Sequence, residues 1–187
     1  MGQVAKKQDA KYTYADYLRW PEGERWELID GEPCAMTPAP SLRHQRVISR
    51  LAHLLEAALA GHPCTAFVAP VDVVLAADTV VQPDVLVVCD ASKLEANRVA
   101  GAPDLIVEVL SPSTALRDHK AKRELYERYG VREYVLVDPE AQFAERFTLG
   151  PDGVYGRSDL FGPEDVLRLS SLGGLELRLA EVFERAL

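Results

Sequence analysis

Pro103-Asp104-Leu105-Ile106-Val107-Glu108-Val109-Leu110-Ser111-Pro112-Ser113-Thr114, continued by Ala115 to Tyr129, decides how this chain can fold. Branched aliphatic residues over strand length, without polar alternation, predict a strand covered on both faces. Ser-Pro-Ser-Thr then opens a segment of helical periodicity that Gly130 stops, and a second apolar run, Glu133 to Val137, follows at once. Strand, helix and strand at this spacing make a βαβ crossover, which sets the two strands parallel. Glu108 breaks the pattern. A lone carboxylate among buried aliphatics costs several kcal/mol unless a cation pairs with it or a metal takes it up.

Upstream, Thr13 is placed to cap a short helix, Tyr14 to Arg19, ended by Pro21 and Gly23. Arg25 to Ile29, the turn Asp30-Gly31 and Glu32 to Met36 read as a hairpin. Ser41 starts a helix to about Ala60, where Val47, Ile48, Leu51, Leu54, Leu55, Ala58 and Leu59 recur as one buried stripe. His44 stands at the start of that stripe. His53 and His62 follow at intervals of nine, about half a turn apart at roughly 100° per residue, so the three do not converge on one ion. Thr65 to Leu75, Gln82 to Cys89 and Gln142 to Leu149 read as further strands, with turns at Ala76 to Thr79 and Asp138 to Ala141. Beyond Gly150, Leu175 to Leu179 reads as an edge strand and Leu179 to Leu187 as a short helix. The class is mixed α/β (α+β).

With 187 residues, 48% hydrophobic and 27% charged, the chain can bury one sizeable core. One domain over 1–187 is expected, with 1–11 loose and 150–187 a C-terminal strand and helix extension. No apolar run approaches the roughly 20 residues that cross a bilayer, and Met1 to Thr13 lacks the apolar middle of a secretory signal. A cytoplasmic protein with no membrane partner is expected. Cys34, Cys64 and Cys89 are odd in number, widely spaced and form no CxxC pair, which predicts reduced, packed thiols. The net charge of -8, without a Lys/Arg block, argues against a nucleic-acid-coating protein that relies on dense basic surface. A nuclease with a local basic strip and a metal remains compatible with it.

Asp84 repeats the oddity of Glu108: it follows Pro83 and opens Val85-Leu86-Val87-Val88. Two such acids on neighbouring strands suit Mg2+, which takes a few carboxylate oxygens and keeps positions for water and phosphate. Asp72, inside Val71 to Leu75, is a weaker third. In the crossover helix Asp118, Lys122, Leu125 and Tyr129 fall at i, i+4, i+7 and i+11, so Lys122 shares the packed stripe and can approach Glu108. An ammonium there can orient a water or offset charge on a phosphoryl group. The plainer readings are an ion pair of Glu108 with Arg123 or Arg128, a turn carboxylate at Asp84, and a surface pair of Lys122 with Asp118. Ser111, Ser113 and Thr114 read as helix caps.

Pro83-Asp84, Glu108-Val109-Leu110-Ser111-Pro112-Ser113-Thr114, Asp118-x-x-x-Lys122-x-x-x-Tyr126 and Tyr134-Val135-Leu136-Val137-Asp138-Pro139 together resemble the Uma-type branch of the PD-(D/E)XK nuclease superfamily. Trp26 to Glu32 and His44-Gln45 match as well, so the likeness spans roughly Tyr12 to Leu187. It implies a restriction-endonuclease-like fold, a mixed central sheet flanked by helices, and a metal-dependent endonuclease acting on DNA. Asp84 and Glu108 would hold Mg2+, with Mn2+ as substitute and the carbonyl of Val109 as a further ligand. The superfamily lysine expected two residues after the strand glutamate is replaced by Leu110, and the resemblance moves that role to Lys122. Glu27 and His44 are then additional site residues. Two rivals stand beside this reading: a non-catalytic homo-oligomeric accessory protein, as a homodimer for instance, and a metal hydrolase of smaller phosphate esters.

Overall fold

The computed structural model describes residues 11–21, 25–36, 41–112 and 115–184. A short helix α1 (Tyr14–Tyr17) precedes the hairpin β1 (Trp26–Ile29) and β2 (Glu32–Ala35), and α2 (Leu42–Ala58) follows. Next come β3 (Thr65–Val68), β4 (Asp72–Ala76), β5 (Thr79–Val81), β6 (Val85–Val88), β7 (Arg98–Ala100) and β8 (Leu105–Val109). The crossover is α3 (Ala115–Arg117), a π-helical turn (Asp118–Lys122) and α4 (Arg123–Tyr129). It leads to β9 (Glu133–Asp138), β10 (Phe143–Thr148), β11 (Asp159–Phe161), β12 (Val166–Leu169), β13 (Leu175–Arg178) and α5 (Leu179–Phe183).

The strands form a sheet in the order β11-β10-β9-β8-β6-β3, a second in the order β2-β1-β5-β4-β7, and the hairpin β12-β13. β8 and β9 run parallel with Glu108 level with Leu136, as the crossover requires. Both faces of β8 are covered. Leu105, Val107 and Val109 pack with Val47, Leu51 and Leu55 of α2, while Ile106 packs with Leu125, Tyr126 and Leu136. That double burial explains why no polar alternation marks the strand.

Several sequence expectations need correction. Thr65 to Leu75 is two strands in different sheets, divided near Pro70, which has no N–H to continue a ladder. Pro83 divides the next region likewise: Thr79, read as turn, begins β5, and β6 starts only at Val85. β7, β11 and β12 are short and gave no apolar run long enough to stand out. Cys64 and Cys89 are disulfide-bonded rather than separate thiols, with Cα atoms 3.8 Å apart. Thr65 faces Val88 across antiparallel β3 and β6, so the next pair outward is Cys64 and Cys89. Their separation of 25 residues conceals that adjacency. Cys34 is a free thiol. The expected cap at Ser113 and Thr114 and the loose stretch 1–10 lie outside the described residues. Among the described residues no helix is long and apolar enough to cross a membrane.

The C-terminal extension is part of the main core: Leu167, Leu169, Leu177, Leu179, Val182 and Phe183 join the cluster of α2 and β8. Glu133, fully buried in β9, holds it in place. One carboxylate oxygen accepts from the Ser170 amide and hydroxyl at 3.0 and 2.9 Å, the other from those of Ser171 at 2.9 and 2.6 Å. Glu133→Ala therefore leaves two backbone amides without their acceptor and is expected to cost about 3 kcal/mol in urea unfolding. A loss under about 1 kcal/mol would mean that apolar contact alone docks the segment.

Candidate active site

Sheet geometry brings Asp84 and Glu108 together. Val85 faces Val107 and Leu86 faces Ile106 across antiparallel β6 and β8, so one further step along that register sets Asp84 opposite Glu108 on one face. The Val109 amide donates to Asp84 Oδ2 at 2.9 Å and ties the two strand ends.

Lys122 enters from the crossover. A π-helical turn is wider than an α turn and is used most often where side chains must be re-aimed. Here it buries both Asp118 and Lys122, the latter on the face that carries Leu125 and Tyr126. Lys122 Nζ donates to Glu108 Oε1 at 2.7 Å, lies 3.1 Å from Glu27 Oε1 and stands 3.9 Å from Asp118 Oδ1. The Tyr126 hydroxyl donates to the same Glu108 oxygen at 2.8 Å. Glu27, in β1 and 0% exposed, also accepts from the Gln82 amide at 3.2 Å and from Arg117 Nη2. His44 reaches the site from α2, where the Ser41 hydroxyl caps the helix by accepting from the His44 amide. Its Nε2 donates to the Val109 carbonyl at 2.8 Å and is 3.5 Å from Asp84 Oδ2, while its buried Nδ1 has no partner among the described residues.

All five side chains expected from the sequence thus converge: Asp84, Glu108, Lys122, His44 and Glu27. Asp72 does not. It accepts from the Tyr17 hydroxyl and the Gln82 side chain, both at 2.9 Å. Arg128 pairs with Asp30, not with Glu108. Three contributors escaped the sequence reading. From the sequence Asp118 reads as a surface partner of Lys122, and Tyr126 only as part of a pattern. Arg117 sits one position off the buried stripe, and only the widened turn after it makes it a wall of the site.

These groups surround a cleft of ≈ 490 Å³ between α2 and the sheet edge, walled by Asp84, Glu108, Asp118, Lys122 and Arg117 among others. Burial pushes the Glu108 carboxyl up to about 7, against the pull of Lys122 and with the help of the charges on Asp84 and Asp118. A carboxyl that holds its proton more tightly when folded favours folding while protonated, and that advantage is lost as pH rises from about 4.5 to about 7. In EDTA, wild type is therefore expected to gain stability relative to Glu108→Gln as pH falls from 7 to 5, read from urea midpoints. A difference that does not change with pH contradicts this.

The donor set fits a hard divalent ion, with limits. Among the described residues no group of three or more His, Cys, Asp and Glu side chains is arranged to hold a metal. Two carboxylates remain, each with one oxygen to which no hydrogen bond is made among the described residues: Oδ1 of Asp84 and Oε2 of Glu108. The Val109 carbonyl already accepts from His44 and has a second lone pair. Two carboxylates completed by carbonyl, water or phosphate oxygens is a set that Mg2+ accepts.

The family model Uma2, described as "Putative restriction endonuclease", matches residues 14–180. The chain belongs to the Uma2 family. This Uma2 chain is 29% identical to an uncharacterized protein of Synechocystis sp. over 167 residues, 87% of each chain. It superposes on the crystal structure of "a putative nuclease belonging to DUF820" from Anabaena variabilis with a TM-score of 0.75 and 21% identity, covering 92% of this chain and 98% of that one. The fold is restriction-endonuclease-like, with mixed sheets flanked by helices, and the function is nuclease-like.

Proposed function

We propose that this Uma2 chain is a Mg2+-dependent endonuclease that hydrolyses phosphodiester bonds in DNA, with Asp84 and Glu108 holding the cation. One observation carries the reading. Two carboxylates stand opposite each other on neighbouring strands, each with an oxygen that has no donor among the described residues, in a cleft that also holds Asp118. Lys122 offsets Glu108 and Arg117 offsets Glu27, which leaves Asp84 and Asp118 to make a divalent cation favourable there. When bound, the divalent ion would supply Lewis acidity toward a phosphoryl oxygen and make a nearby water more acidic.

The side chains divide the remaining work. Lys122 and Tyr126 fix Glu108 through Oε1 and leave Oε2 for the ion. Glu27 steadies Lys122 from below the cleft, and the Val109 amide does the same for Asp84. His44 lines the cleft and anchors the end of β8 through the Val109 carbonyl. Supercoiled plasmid should be converted to nicked or linear forms in Mg2+ or Mn2+ and left intact in EDTA. If calorimetry finds no Mn2+ binding by wild type, the reading fails. Turnover of mononucleotides in preference to plasmid would move the assignment to smaller phosphate esters.

A further inference from the structure

We infer that Arg117, not Lys122, is the cation that meets the substrate's phosphate in this cleft, an inference that rests on the phosphodiesterase reading and deepens it. Lys122 is 4% exposed and enclosed by carboxylates: Glu108 at 2.7 Å, Glu27 at 3.1 Å and Asp118 at 3.9 Å. Of the three N–H hydrogens of the ammonium one donates to Glu108, and the same charge faces Glu27 and Asp118. Taking one away to bind phosphate would leave a buried carboxylate without its counter-charge.

Arg117 has the opposite arrangement. It ends α3 immediately before the π-helical turn, lines the cleft, and its side chain is 31% exposed. A single nitrogen, Nη2, is tied back to Glu27, which lies below the cleft at 0% exposure. Its Nε is buried and has no acceptor among the described residues. A guanidinium held at one corner by a buried acid keeps its remaining N–H groups in a fixed plane, the geometry that suits two oxygens of one phosphate. Arg25 also lines the cleft, but its Nε and Nη2 donate to Gln82 Oε1 at 3.2 and 3.1 Å. Glu27 is then the group that aims Arg117, which gives a reason for an acid with no exposure beside the site.

The test uses the Mn2+-loaded full chain and inorganic phosphate as probe, followed by calorimetry. Wild type is expected to bind phosphate, and Arg117→Ala to bind it at least about tenfold more weakly with Mn2+ affinity within about threefold of wild type. Arg117→Lys keeps a charge for Glu27 without the planar fork. It should fold as wild type does and still lose phosphate affinity, which covers the case where Arg117→Ala fails to fold. In plasmid cleavage, Arg117→Ala should lower kcat by about 10²-fold or more, with part restored by millimolar guanidinium ion. Phosphate binding that is absent in wild type, or unchanged in Arg117→Lys, overturns the inference. Plasmid left uncut by a wild type that binds phosphate through Arg117 would instead overturn the endonuclease reading alone.

Discussion

Glu108→Gln is expected to lower metal-dependent cleavage by at least about 10³-fold, about 4 kcal/mol of transition-state stabilisation, with the fold retained. The amide is a close copy of the protonated carboxyl. Its oxygen can still accept from Lys122 and Tyr126, as Oε1 does at 2.7 and 2.8 Å. What changes is the other position, where an NH2 group replaces the oxygen left for the ion. Asp84→Asn should act alike, because its Oδ2 role toward the Val109 amide survives while Oδ1 loses its charge. Plasmid cleavage, Mn2+ calorimetry and thermal unfolding on the same preparations check the result. A Glu108→Gln protein that cuts at the wild-type rate would make Glu108 structural and move the cleavage chemistry to other groups.

Lys122→Ala is expected to destabilise the fold by about 3–5 kcal/mol, the largest stability effect of any single change at the site. Removing the ammonium leaves Glu27 and Glu108 without it in a region where neither is exposed by more than 6%. Arg117 still covers one side of Glu27, but among the described residues Glu108 retains only a neutral hydroxyl from Tyr126. If the cost comes from uncompensated charge rather than lost packing, adding Glu108→Gln to Lys122→Ala should recover at least about 1 kcal/mol. A double-mutant cycle by urea unfolding measures that coupling. Strictly additive losses would assign the penalty to the lysine's methylene stem instead.

Much of the site was legible without coordinates. Glu108 and Asp84 stood out because a carboxylate in an unbroken aliphatic run conflicts with burial, and that conflict is visible in the letters themselves. Lys122 stood out because helical spacing put a charge on a packed stripe. The crossover's parallel pairing followed from segment lengths alone. Arg117 was not legible, since a regular α-helix would turn it outward and nothing in Ala115 to Lys122 announces the wider π-helical turn.

The sequence by itself determined which residues had to be buried, where the βαβ unit lay, and that Asp84, Glu108 and Lys122 carried charge into packed segments. Only the tertiary structure decided their neighbours: the strand register that sets Asp84 opposite Glu108, the hairpin that places Glu27 under Lys122, and the cross-strand pairing of Cys64 with Cys89. The reason is physical. Burial and periodicity depend on residues a few positions apart, whereas register and sheet order join segments tens of residues distant, and no local pattern encodes which of them meet.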